Sequence, residues 1–86
     1  MPFYAYMIKS ESSGKHYYGH TSDIDNRLKS HNSTQNKYTR RKGPWKLVGY
    51  VEVESKSDSM KLESKLKTMK NPKRAKAWIE RHGLTS

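Results

Sequence analysis

Two tyrosines, an arginine and two histidines fall within fifteen residues, Tyr17-Tyr18-Gly19-His20-Thr21-Ser22-Asp23-Ile24-Asp25-Asn26-Arg27-Leu28-Lys29-Ser30-His31. A phenol can serve as a base once its charge is stabilised, a guanidinium clamps phosphate, and an imidazole gives or takes a proton near neutral pH. Cleavage of a phosphodiester calls for all three kinds of group. A helix that serves only the core needs none of them.

The elements that must hold these groups are readable from spacing. Phe3 to Lys9 has the residues of a strand, with Tyr4, Tyr6 and Ile8 on one face and Phe3, Ala5 and Met7 on the other. Both faces are largely apolar, which predicts a strand covered on both sides. Ser10-Glu11-Ser12-Ser13-Gly14 is turn chemistry, and Lys15 to Tyr18 returns as a second strand ended by Gly19. Ser22 or Asp23 caps a helix to about His31, whose Ile24–Leu28 pair must dock on the sheet and so aim Arg27 and His31 at the sheet edge. Asn32 to Pro44 is a polar, basic loop, and Trp45 to Glu54 a third strand. In that strand Trp45, Leu47, Val51 and Val53 are expected on one face and Val48 and Tyr50 on the other. Ser57 is expected to cap a second helix through about Lys70 with a buried stripe of Leu62, Leu66 and Met69. Asn71-Pro72 opens a third helix with Ala75, Trp78 and Ile79 inward, and Gly83 ends it. The order ββαβαα predicts an α+β fold, a three-stranded antiparallel sheet flanked by helices.

Eighty-six residues hold a single core, hence one domain spanning residues 1–86. Apolar residues make up 31% and charged residues 30%, so the core is thin, leaving room for a protein partner or a homodimer to supplement its stability. The net charge of +10 points to a polyanion, and nucleic acid is the commonest one. A membrane surface fits less well, because the basic residues are not gathered on one amphipathic helix. With no cysteine, disulfides and thiolate metal sites are excluded. No apolar run approaches a membrane span, and Met1-Pro2-Phe3-Tyr4 lacks a signal-peptide start, so a cytoplasmic protein is expected.

With Tyr6, Tyr17-Tyr18-Gly19, Arg27, His31 and Glu63 placed along it, the order of elements resembles the GIY-YIG nuclease domain. The likeness runs from Phe3 to about Ile79 and is nearest to small stand-alone bacterial members similar to the N-terminal domain of the excinuclease ABC C subunit. Tyr17-x-Gly19-x-Thr21-x-Asp23, Arg27-x-x-x-His31-Asn32, Pro44-Trp45-Lys46-Leu47-Val48 and Met60-Lys61-x-Glu63-x-x-Leu66-Lys67 look like the signature of that subgroup. Tyr4 and Ala5 stand where the first family motif has glycine and isoleucine, and Tyr18 stands for isoleucine in the second. None of these changes removes a side chain to which the family assigns chemistry.

The resemblance implies a metal-dependent endonuclease acting on DNA, in repair or recombination. It implies Tyr6 as the group that activates water, Tyr17 in support, and Arg27 as the stabiliser of charge on phosphorus. His31 would assist proton transfer, and Gly19 and His20 would support the site. Each has an ordinary alternative: half-buried strand tyrosines, a solvated arginine, a histidine balancing a helix dipole. Glu63 lies about 60° from Leu66 around its helix, at the rim of the apolar stripe, among Lys61, Lys65, Lys67 and Lys70. One divalent ion, Mg²⁺ or Mn²⁺, held by this carboxylate with waters and phosphate would explain it; an ion pair with Lys67 is the alternative. Asn71, a candidate for the family's late asparagine, is accounted for as a helix cap. Lys37, Arg40, Arg41, Lys42, Lys67 and Lys70 are expected to contact phosphates. A binding module of the same fold with weak or silent chemistry, and a basic RNA-associated structural protein, compete with the nuclease. The tyrosine pair together with a rim carboxylate favours the enzyme.

Overall fold

The computed structural model describes residues 2–32 and 44–85, the last two by their backbone alone. The order is β1 (Phe3–Ser10), β2 (His16–Thr21), α1 (Ile24–Asn32), β3 (Trp45–Val53), α2 (Lys56–Thr68), α3 (Pro72–His82) and β4 (Leu84–Thr85). The expected antiparallel sheet of three strands is present, and the two-residue β4 extends it in the order β2-β1-β3-β4.

The central strand β1 has a buried set on each face, as its double alternation requires. Ala5 and Met7 pack with Val51, Leu62, Leu66, Ala75 and Ile79, so α2 and α3 cover that face. Tyr6 and Ile8 pack on the other with Trp45, joined by Ile24 and Leu28 of α1. Fully burying a leucine or isoleucine such as Leu66 or Ile79 contributes about 1.5–3 kcal/mol, and this docking holds the short helices.

The hairpin turn closes on Ser10, whose hydroxyl accepts from Ser13 N at 3.1 Å and whose carbonyl accepts from Gly14 N at 2.9 Å. Gly14 has φ +73°, a conformation that a Cβ would strain.

Three expectations require correction. Gly19 does not end β2; it pairs with Tyr6 inside the strand, which continues to Thr21. The faces of β3 do not alternate throughout, because the register against β1 shifts between Met7 and Ile8. This irregularity puts Val48 with Val51 and Val53 on the α2/α3 face, and Leu47 with Tyr50 on the α1 face. Ser55, not Ser57, caps α2, accepting from Asp58 N at 3.1 Å. Helix α1 ends at Asn32, within a residue of the expected end, and there the Asn32 Oδ1 accepts from Trp45 N at 2.6 Å and its Nδ2 donates to Trp45 O at 3.1 Å. One asparagine thereby ties the end of α1 to the start of β3.

Candidate active site

Tyr6 is the hub. It stands opposite Gly19 across the β1–β2 ladder, and a Cβ at position 19 would lie 2.6 Å from its Cζ. Glycine is therefore required by the close approach of the phenol rather than by its own backbone angles. Gly19→Ala is expected to lose about 1–3 kcal/mol of stability by overpacking, read as a shifted urea midpoint with an unchanged slope. An alanine variant as stable as the parent would mean that the phenol has room to move.

The Tyr6 hydroxyl and His31 Nε2 are 2.6 Å apart, with the two residues 2% and 1% exposed. Burial pushes the Tyr6 phenol above its ordinary range. The hydrogen bond and positive charge of Arg27 pull it part of the way back, while Tyr17 and the negative charge of Glu63 push it slightly further up. His31 is pushed down to about 4, first by burial and then by the charge of Arg27. At neutral pH the pair is thus a protonated phenol against a neutral imidazole, sharing one hydrogen bond.

Arg27 reaches this phenol because α1 begins where it does. Asp23 caps the helix, its Oδ1 accepting from Asn26 N at 3.1 Å, and Ile24 and Leu28 anchor it on the sheet. Arg27 remains exposed between them, with its guanidinium beside the Tyr6 hydroxyl.

Tyr17 shares the face of Tyr6 and pairs with Ile8, so the two tyrosines are diagonal neighbours on one sheet face. His31 fills the space between them, its ring centroid 4.9 Å from Tyr17 and 5.8 Å from Tyr6.

Glu63 comes from α2, on the other side of the sheet, and its side chain is 17% exposed. His20 Nδ1 donates to Oε1 at 2.9 Å, and Lys67 Nζ donates to Oε2 at 3.0 Å. Burial raises the carboxyl's pKa, but the hydrogen bonds and charges of His20 and Lys67 outweigh it and hold the group below the usual carboxylate range. Glu63 is ionised at neutral pH, and its charge reaches Tyr6 past the edge strand β2.

The expected residues therefore divide. Tyr6, Tyr17, Gly19, Arg27 and His31 are gathered on the α1 face. His20 and Glu63 pair on the α2 face next to Gly19. Lys67 is committed to Glu63, and Lys70 is exposed at φ +54° between α2 and α3. Asn71 caps α3, accepting from Lys73 N at 2.9 Å. Lys37, Arg40, Arg41 and Lys42 lie outside the described residues.

Sequence reasoning did not anticipate His20 as the partner of Glu63, or His31 as the partner of Tyr6. Strand parity carried a signal for the first: with Gly19 opposite Tyr6, residue 20 faces the opposite helix layer. Among the described residues no cluster of three or more His, Asp or Glu side chains is placed to enclose a metal, and no helix is long and apolar enough to cross a membrane.

Comparison with known proteins agrees with this architecture. A model of the GIY-YIG catalytic domain matches residues 2–76. UPF0213 protein BH0048 of Halalkalibacterium halodurans is 36% identical over 75 residues, covering 86% of this chain and 79% of that protein. A UPF0213 protein of Staphylococcus aureus is 34% identical over 79 residues, covering 91% and 95%. The solution NMR structure of BH0048 superposes with a TM-score of 0.55 at 32% identity, covering 96% of this chain and 87% of that one. A match of this extent to the family model, together with relatives that align over most of their length, means that the chain belongs to the GIY-YIG nuclease family, alongside the small UPF0213 proteins.

Proposed function

We propose that this chain is a divalent-metal-dependent endonuclease that hydrolyses a phosphodiester bond in DNA. The observation that carries it is the cluster on the α1 face: one phenol, Tyr6, is hydrogen-bonded to His31 beside the Arg27 guanidinium, and the negative charge of Glu63 reaches it from across β2. A packing tyrosine needs one polar partner, not three charged or titratable ones.

The Arg27 fork takes the non-bridging oxygens of the scissile phosphate and stabilises the charge that grows on them. The attacking water bonds to phosphorus as the ester oxygen leaves. Its proton passes to the Tyr6 oxygen while the phenol's own proton passes to His31 Nε2, and solvent protonates the leaving oxygen. A bound phosphate neutralises Arg27, which relieves one of the two causes that depress His31 and makes that transfer easier.

Nucleases of this family generally depend on a divalent metal ion, and the donor set here is compatible with one. Glu63 is a single ionised carboxylate, and among the described residues one of its oxygens is held only by Lys67, whose side chain is 53% exposed and can swing away. A hard cation that keeps most of its waters needs no more protein ligands than that. When bound, such an ion supplies positive charge against the charge developing on the phosphate.

The engagement of both Glu63 oxygens by His20 and Lys67 favours a second reading, a basic nucleic-acid-binding module without cleavage. Incubating the protein with duplex, single-stranded and branched DNA in Mg²⁺, Mn²⁺ or EDTA separates the two. Strand scission that EDTA abolishes is expected; binding without scission under every condition would leave the module.

Binding itself is expected to be electrostatic and indifferent to sequence, given the +10 charge. Log affinity for B-DNA should fall against log salt with a slope of about 0.9 per phosphate contacted. A preference for one duplex sequence that survives high salt would contradict this.

A further inference from the structure

On the α2/α3 side of the sheet, at the hairpin end and away from Tyr6, a cavity of about 520 Å³ lies against the start of α3. Its floor is apolar, Met7 and Val48, with the exposed Asn71 and Pro72 at its edge. Its rim is basic, formed by Lys9, Lys73 and Lys76 together with His16, which faces Lys9 across the hairpin ladder. Among the described residues no carboxylate lines it and none of these three lysines is in an ion pair.

An inorganic anion would waste the floor, and an apolar peptide would meet the rim unfavourably. A nucleotide suits both, with its base against the apolar floor and its flanking phosphates on the lysines. A base stacked in a duplex cannot enter such a cavity without leaving its helix. Burial and then Lys9 lower the His16 imidazole's affinity for protons, which favours a neutral ring able to hydrogen-bond a base edge.

We infer that this cavity seats an unpaired nucleotide of the strand that the nuclease acts on. His16 and His20 lie on the same face of β2, four residues apart, so the cavity is about 13 Å from the His20–Glu63 pair. The seated nucleotide would thus be a few nucleotides from the cut, and the substrate would be single-stranded there, as in a flap, a frayed end or an open strand. The inference rests on the nuclease reading only for the identity of the ligand as a nucleic-acid strand.

The test is equilibrium binding in EDTA of fluorescent oligothymidylate, oligouridylate and a duplex of equal length. The double variant Lys9→Ala/Lys76→Ala is compared with Lys56→Ala/Lys61→Ala, which removes the same charge from exposed positions elsewhere. The cavity variant should lose tenfold or more in single-strand affinity but less than threefold on duplex, and the control less than threefold on either. The tighter of the two single strands distinguishes DNA from RNA. The methyl resonances of Met7 and Val48 in the unaltered protein should also shift on titration with a thymidine dinucleotide. Equal losses in the two variants, equal losses on single strand and duplex, or unmoved methyl resonances would overturn the inference. Because the assay contains no metal, its outcome is independent of cleavage. Selective loss in a protein that never cuts keeps the site and removes the nuclease, and equal losses in a protein that cuts do the reverse.

Discussion

Arg27→Ala is expected to slow single-turnover strand cleavage by about 10²–10³-fold, the usual loss when one preorganised donor to a developing oxyanion is removed. Arg27 is exposed and lies outside the apolar pair Ile24 and Leu28 that docks α1. Unfolding free energy should therefore change by no more than about 0.5 kcal/mol. Arg27→Lys keeps the charge and loses the planar fork, so it should fall between the parent and the alanine variant. Two further consequences belong to the same substitution. Without the guanidinium, the Tyr6 phenol loses the influence that offsets its burial, and His31 loses one of the two causes of its depression. A rate unchanged by Arg27→Ala would remove this residue from the mechanism.

Acid should unfold the protein through His31. Its folded-state pKa is about 4, against an ordinary value of 6.5. Above 6.5 the ring is neutral in both states and contributes no pH dependence. As pH falls from 6.5 to 4 the unfolded chain binds a proton that the folded chain refuses, so stability declines across that window. The loss amounts to about 3 kcal/mol when complete and levels off below pH 4. It is a large fraction of what a domain of this size possesses. The check is twofold: the imidazole C–H resonances of His31 should titrate near 4, and urea unfolding should show its steepest pH dependence between 6.5 and 4. A His31 that titrates near 6.5 would mean that the ring is open to water and that its bond to Tyr6 is not the closed, buried one described.

Local patterns in the sequence carried most of the fold, and their failures have identifiable physical causes. Alternation along β1 separated Tyr6 and Ile8 from Ala5 and Met7, and the structure buries these pairs on opposite faces. The same rule failed on β3 because a register shift resets parity, and it involves the pairing of Leu47 and Gly49 with β1, which no local pattern encodes. Helix α2 was found at its apolar stripe but started two residues late. The Ser55-x-x-Asp58 spacing marks the true cap, whereas Ser57 has Met60 at the third position.

The candidate site was legible in its residue types and not in its pairings. Glu63 was identifiable as unusual for its helix, and Tyr6 and Arg27 stood out through the family resemblance, but the contact between His20 and Glu63 joins residues 43 apart in sequence. Helix and strand periodicities say which face a side chain takes, not which partner waits there. Asn32 shows the same limit: it ends a helix, and its two bonds go to Trp45, 13 residues away. Gly19 looked like a strand terminator because glycine is usually read through its backbone freedom, whereas here the missing Cβ makes space for a phenol.

That Tyr6, Arg27 and Glu63 serve one phosphate is tested most directly by single-turnover cleavage of labelled DNA by the parent protein and Glu63→Gln, titrated with Mg²⁺ and followed beside a thermal melt. Glutamine preserves the size of Glu63 and its hydrogen-bonding reach toward His20 but removes the charge that reaches Tyr6 and that would attract a cation. The predicted result is Mg²⁺-dependent cleavage by the parent and a rate at least about 10²-fold lower for the variant at every Mg²⁺ concentration, with the melt nearly unchanged. Equal rates for the two proteins, or a parent that binds DNA and leaves it intact with and without Mg²⁺, would contradict the mechanism.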